Sequence, residues 1–459
     1  MSTSPNAATP RSPILVSRRR LLHMLGVAGA AGFSTALLGC SRDSEQAAAT
    51  TAAPATGPVV RTKGDAVATR SLVVIEMQGG NDGFAMLVPY GNGTFRHLRE
   101  HIWIDPKDLH IIDDRYAIAK GLAPIASDIA FVEGVGVANP DLSHSAMATR
   151  WWHGDPEGNR GLLTGFLGRC CDAAAGNEPV TGMSIGGGST PALRSAKATT
   201  VSLPKLDAVR DLMKGEPEQD RFRRSLAGVA AGHGGIGDTG SDAWLELARS
   251  GLRAGLKLST MVGSADESAA AVARYPAGDD LGSALASVRQ MITNGSGVRL
   301  FHVPWGDFDT HSNEVGTHTD RMNRLGAALA AFRDDLADHG LRDRVLVATT
   351  SEFGRRPEAN GSGTDHGTAS TMLLMGPVAP RRHGNPVDFR RLDSDGNVKA
   401  TTSMADYYAT LAGWLGVPAD AVLSGVRGTA LDVRFNVGFE KTSPASSTLP
   451  RRSSRTSLK

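Results

Sequence analysis

A helix that feeds a short apolar strand, which then ends abruptly in charge, limits this chain more than any other feature. Residues 321–340 are amphipathic, 345–348 form a nearly continuous apolar run, and Ser351-Glu352-Phe353-Gly354-Arg355 follows at once. A fully apolar strand preceded by such a helix reads as part of a parallel sheet covered on both faces. In sheets of that kind ligands gather at the carboxyl ends of the strands. Glu352 stands just past that end, and Asp365-His366 stands in what reads as the following loop. A carboxylate and an imidazole so placed need a metal, a cation or a hydrogen-bond network as partner.

Further strands are predicted at 72–77, 129–133, 298–303 and 371–375, with helical patterns at 282–293 and 403–415. A long helical region over 203–273 is broken by the glycine-dense stretch 231–237. This alternation predicts an α/β fold: a doubly wound, mostly parallel sheet flanked by helices, with a helical insertion. No internal repeat is evident. Residues 70–440 are enough for one large domain.

The N-terminus points to export. Ser17-Arg18-Arg19-Arg20-Leu21-Leu22 has the form of a twin-arginine signal, and a Gly/Ala-rich stretch without acidic residues leads to Leu37-Leu38-Gly39-Cys40, which has the form of a lipobox. The expected organisation is a twin-arginine lipoprotein signal at 1–40, a linker rich in Ala, Thr and Pro at 41–69, the folded domain at 70–440, and a disordered basic tail at 441–459. Acylation of Cys40 would anchor the exported protein to the membrane of the cell envelope. Twin-arginine export carries proteins already folded, often with a metal or cofactor in place. The alternative reading, a permanent transmembrane anchor, has against it a short and glycine-rich apolar run.

A formal charge of +2 gives no reason to invoke nucleic acid. Beyond Cys40 the chain has only the neighbours Cys170 and Cys171, which excludes a disulfide framework and suits two buried thiols better than a strained vicinal bridge.

Four more constellations fall near predicted strand ends. Gln78-Gly79-Gly80-Asn81-Asp82-Gly83 is a tight turn that presents Asp82, either to a pocket or simply as a turn residue. Asn139-Pro140-Asp141-Leu142-Ser143-His144 precedes a helical pattern at 146–152, so Ser143 reads equally as a helix cap and as a nucleophile, with His144 alongside. Asp309 and His311 are two apart after an apolar strand, which in extended backbone points both the same way, able to grip one metal ion. His318 reads as a histidine on a helix surface. The glycine-rich stretch 183–191 lacks the Lys-Ser/Thr of a phosphate-binding loop and reads as a structural or pocket-lining turn. There is no His-Glu-x-x-His motif and no Gly-x-Ser-x-Gly elbow.

Taken in order, 72–75 leading into Gly79-Gly80-Asn81-Asp82-Gly83, then Ser143-His144, Phe308-Asp309-Thr310-His311, Ser351-Glu352-Phe353-Gly354-Arg355 and 360–367, the chain resembles the bacterial domain of unknown function 1501 family over residues 71–433. That family looks like a branch of the alkaline phosphatase and sulfatase superfamily, and the resemblance implies an alkaline phosphatase-like fold with one or two divalent metal ions. By resemblance Asp82, Asp309, His311 and His366 match metal ligands, and Ser143 approximates the nucleophile region. The chain departs from the superfamily at Glu352-Phe353, where an Asp-His pair is usual and phenylalanine cannot bind a metal. Glu352 and Asp365 then stand as replacement oxygen ligands.

The function expected is an exported, membrane-anchored, metal-dependent hydrolase of phosphate or sulfate esters, acting on a small-molecule or glycan ester. Ser143 or a water would attack, and Arg355 would pair with the anionic oxygens. The alternative is a non-catalytic envelope protein that keeps the hydrolase fold and binds a ligand or partner, which Phe353 favours.

Overall fold

The computed structural model describes residues 70–174, 178, 180–206 and 274–435, with a few isolated positions between 227 and 257. The expected signal, linker and basic tail, and most of the 203–273 helical region, lie outside the described residues.

In chain order the elements that build and flank the site are β1 (Ser71–Met77), α1 (Gly83–Met86), β2 (Ile129–Gly136), α2 (His144–His153), α3 (Phe166–Ala174), β3 (Gly182–Ile185), β4 (Thr200–Leu203), α4 (Asp280–Thr293), β5 (Leu300–Trp305) and α5 (Glu314–Asp338). They continue with β6 (Val345–Thr350), β7 (Gly354–Asn360), β8 (Gly363–Gly367), β9 (Ala369–Met375), β10 (Arg382–Gly384), β11 (Thr402–Ser403) and α6 (Met404–Trp414). Among the described residues, nine strands form the main sheet, in the order β10-β2-β9-β6-β1-β5-β3-β4, with β11 beside β2. Strand β1 pairs in parallel with β5 and β6, and β3 pairs in parallel with β4 and β5. Among these strands β9 alone is reversed, pairing antiparallel with both β2 and β6. Its reversal has a simple cause. Between β6 and β9 the chain supplies the β7–β8 hairpin and no helix, whereas parallel neighbours need a long crossover. The result is the doubly wound, mostly parallel α/β sheet that the element order predicts.

Residues alternate along β1 between two cores. Val73, Ile75 and Met77 join Phe301, Val303 and Val347 under α4 and α5, where Leu285, Val288, Leu325, Leu329 and Phe332 complete the layer. Leu72 and Val74 join Leu346, Ala348 and Leu374 under α2, α3 and α6, against Trp151, Phe166, Tyr407 and Trp414. Each side chain buried this way contributes roughly 1.5–3 kcal/mol. Cys170 and Cys171 are buried free thiols in this second layer, and burial pushes the Cys170 thiol up to about 12.

Two expectations need correction here. The start of the glycine-rich stretch 183–191 is not a turn but β3, a short buried strand whose neighbours supply its hydrogen bonds. Asp365 and His366 lie not in a loop but in β8, paired with β7 across a two-residue turn.

Register sets the height of everything that follows. Met77 lies opposite Trp305, and Glu76 opposite Thr350. The segments at 78–82, 306–311 and 351–355 therefore leave the sheet side by side at its carboxyl edge. The β7–β8 hairpin then folds back over them, with the Thr364 N–H donating to the Thr310 carbonyl at 3.2 Å.

Candidate metal centre

Three elements bring four side chains to one point. The first turn of α2 supplies His144, the loop after β5 supplies Asp309 and His311, and β8 supplies His366. Asp309 is the hub. Its Oδ1 lies 3.1 Å from His311 Nε2 and 3.1 Å from His366 Nε2, and its Oδ2 lies 3.3 Å from His144 Nε2. The Nε2 atoms of His311 and His366 are 3.0 Å apart. Ligating atoms of His144, Asp309 and His366 all fall within 4.8 Å of one another.

The outer nitrogens decide what the inner ones can do. His366 Nδ1 is 2.8 Å from the Leu142 carbonyl, which only accepts, so Nδ1 carries the hydrogen. His144 Nδ1 is 2.9 Å from Glu352 Oε1, an atom that also accepts the Gly79 N–H at 2.8 Å. His311 Nδ1 is 3.4 Å from Asp365 Oδ1, and Asp365 is itself held by the Asn360 amide at 3.1 Å. Each imidazole thus meets an acceptor on its outer side and turns Nε2 inward.

Electrostatics sharpen the picture. Burial works against charge on Asp309, but the hydrogen bond and charge of Arg355 pull its carboxyl down to about 2. Burial also lowers the His366 imidazole, favouring its neutral form. The ionised Asp309 carboxylate and the inward His366 lone pair, 3.1 Å apart, are acceptors facing each other, which costs energy until a cation sits between them. Metal–nitrogen bonds of about 2.0–2.1 Å put tetrahedral ligand atoms roughly 3.3 Å apart. The spacing of His144, Asp309 and His366 fits a small divalent ion, with His311 Nε2 beside two of them, and acceptors behind the imidazoles are the usual means of fixing the ligating tautomer.

Phe353 stands behind two of the ligands. Its ring centre is 4.2 Å from that of His366 and 4.9 Å from that of His144, and the residue is buried. Gly80, with φ +78, clears the other side, because a Cβ there would run into the Phe353 ring.

Arg355 is not placed to bind substrate. Its guanidinium is fully buried and donates to the carbonyls of Gly79, Gly80, Phe308 and Thr364 and to Asp309 Oδ1. It clamps three site loops together. Ser143 is the N-cap of α2, its Oγ accepting the Ala146 N–H at 3.3 Å. Leu142 before it takes φ 61, a costly left-handed conformation for leucine, and its carbonyl meets His366.

Asp82 lies apart from the cluster, fully buried. Its Oδ1 caps α1 through the Phe84 N–H at 3.1 Å, and Arg99 grips both oxygens, at 2.6 and 3.2 Å. Glu314 shares that guanidinium at 3.3 Å and accepts from Thr364 Oγ1 at 2.6 Å. One cation facing two buried carboxylates leaves Asp82 ionised and Glu314 protonated, the latter raised to about 9 by burial and by the Asp82 charge. With its oxygens committed, Asp82 leaves the ligand set, and Glu352 and Asp365 move behind their histidines. His318 is not a surface residue either. It is buried, with Nε2 3.1 Å from Asn81 Oδ1, because it lies on the apolar stripe of α5 with Met322, Leu325 and Leu329.

His144 is the ligand the motif reading placed elsewhere, beside the nucleophile. Arg99 and Glu314 escaped notice altogether. The i, i+3, i+4 run from 314 and 318 into the apolar face of α5 is the signal that marks Glu314 and His318 as buried.

Fold and site together define an α/β chain carrying a His/Asp cluster at the carboxyl edge of a mostly parallel sheet. The chain belongs to the family described as protein of unknown function DUF1501, whose model matches residues 134–433. β1 and Asp82 precede that span. No curated protein matches the chain in sequence. Solved structures similar to it include Ps i-CgsB in complex with k-i-k-neocarrahexaose, at 13% identity over 79% of this chain and 75% of that one, with a TM-score of 0.38. The PsFucS1 sulfatase from Pseudoalteromonas sp. is similar at 12% identity over 79% and 73%, with a TM-score of 0.32. The phosphonate monoester hydrolase SpPMH from Silicibacter pomeroyi is similar at 12% identity over 79% and 76%, with a TM-score of 0.31.

Proposed function

We propose that this protein is an exported, lipid-anchored, metal-dependent hydrolase of phosphate or sulfate esters. The observation that carries the reading is the convergence of three Nε2 atoms on the Asp309 carboxylate, each imidazole held from behind by an acceptor. His144, His366 and Asp309 would hold one divalent ion, with His311 beside Asp309 and His366. Bound there, it supplies positive charge that polarises an ester oxygen and eases ionisation of water.

The chain's own groups do the rest. Glu352, Asp365 and the Leu142 carbonyl keep the imidazoles in the ligating tautomer, and Phe353 keeps two of them from turning. Helix α2 begins at His144, so its first N–H groups and dipole favour an anionic ester at the same place. Ser143 serves as a cap, and solvent supplies the attacking oxygen. The rival reading, a non-catalytic envelope protein, drew on Phe353; the packing of that ring against two of the imidazoles supports the hydrolase reading instead.

The test is metal content of the purified full chain by elemental mass spectrometry, followed by hydrolysis of aryl phosphate and aryl sulfate esters. About one equivalent of metal is expected, falling sharply in His144→Ala, Asp309→Asn and His366→Ala and unchanged in folded Asp82→Asn. Equal metal in all four, or none in the parent chain, would overturn the reading.

A further inference from the structure

An open cleft of about 550 Å³ adjoins the cluster and is not used by the chemistry above. It lies within the roughly 300–1,000 Å³ of small-molecule sites. Its floor is the carboxyl edge of β1, β3 and β5, and it shares Gln78 and the 305–307 segment with the loops that carry the cluster. Helix α2 runs along both, with His144 in one and Trp152 in the other, eight residues or about 12 Å apart along the axis.

We propose that this cleft binds a neutral sugar ring seated against Trp152, and so selects which anionic esters reach the cluster. It rests on the hydrolase reading only for its purpose, since the binding itself needs no turnover.

Trp152 is half-buried and fixed in place. Its Nε1 donates to Glu76 Oε1 at 2.7 Å, Glu76 Oε2 meets His302 Nε2 at 2.9 Å, and His302 Nδ1 meets Ser184 Oγ at 3.0 Å. A chain of buried hydrogen bonds holds the indole as a rigid wall. Among the described residues, the guanidinium groups around it are matched, and Asp280 adds a carboxylate to its lining. Arg321 pairs with Asp307 and lies 5.4 Å over the Trp305 ring, and Arg324 pairs with Asp279 at 3.0 Å. With its two guanidinium groups matched and Glu76 held by His302, the cleft has no surplus positive charge to draw a second anion. A wholly apolar ligand fits no better, because it would strip water from the Gln78 amide and the Ser189 and Thr190 hydroxyls with nothing in return. A sugar ring meets both demands: its C–H face packs on the indole, and its hydroxyls bridge the polar groups at the rim.

Gly188, in the loop after β3, gives a clean handle, since a Cβ there has nothing within 4 Å. A bulky side chain at that position narrows the cleft without touching the core. The experiment titrates the metal-loaded full chain with neutral mono- and disaccharides, and with nucleosides as a second aromatic-stacking class, following tryptophan fluorescence and calorimetry. Saturable binding of at least one sugar is expected, weakened about tenfold or more in Trp152→Ala and in Gly188→Trp, and retained in His366→Ala. Binding of nucleosides alone, no sugar binding by folded protein, or equal sugar binding by Gly188→Trp would overturn the proposal. Sugar binding by a chain that takes up no metal would sink the hydrolase reading and leave the cleft's ligand standing.

Discussion

Phe353 looks like a lesion in a metal site when only its side-chain chemistry is considered, yet its buried ring lies against His144 and His366. Groups that orient metal ligands from behind are typically worth about 10- to 100-fold in affinity. Phe353→Ala should therefore weaken metal binding by about that factor in a chelator-competition titration, and unchanged affinity would assign the ring to packing alone. Arg99 answers for the opposite kind of site. It is the one positive charge among Asp82 and Glu314, and removing one partner of a buried ionic cluster costs about 3–5 kcal/mol. Arg99→Ala should lower unfolding free energy by about that much in a urea titration, while the folded fraction keeps its metal.

At the scale of elements, the site depends on pieces that are ordinary by themselves. Helix α2 needs an N-cap, and Ser143 provides it; what is unusual is the turn before it, where Leu142 pays a conformational cost that aims its carbonyl at His366. Helix α5 carries its apolar stripe through Leu325, Leu329 and Phe332 into the core beneath β1, β5 and β6. Phe332 is fully buried, so Phe332→Ala should cost about 3–5 kcal/mol and be read as a lower unfolding midpoint. The same helix begins with Glu314 and His318, so its N-terminal half supports the buried ionic cluster while its C-terminal half supports the sheet. The β7–β8 hairpin has no apolar stripe of its own, and it is held by Arg355 and by the Thr310–Thr364 hydrogen bond.

For the whole molecule, His318 should make one acid-sensitive contribution to stability. Burial holds its imidazole at about 4, below the ordinary value of about 6.5. Above about pH 6.5 it is neutral in both folded and unfolded chains; as pH falls toward about 4 the unfolded chain takes up a proton that the folded chain refuses, so stability is lost across that window, by about 3 kcal/mol. His318→Gln keeps a donor for Asn81 and removes the titration. Its unfolding free energy should gain on the parent's by that amount between about pH 7 and 4, and parallel curves would refute the assignment. Export is tested on cells: Arg18→Lys with Arg19→Lys should strand the protein in the cytoplasm, and Cys40→Ala should release it from the membrane fraction. The sequence by itself determined five strands of the sheet and the loops at their carboxyl ends, because apolar runs bounded by glycine and charge have few places to go. Strand positions at 72–77, 345–348 and 371–375 were legible for that reason, as was the pairing of Asp309 with His311 two residues apart. Only the tertiary structure decided that His144 faces Asp309 while Asp82 faces Arg99. Those partners lie 165 and 17 residues away, and which of several polar groups meet is set by strand register and by the hairpin folding over the sheet edge, distances over which local pattern carries no information.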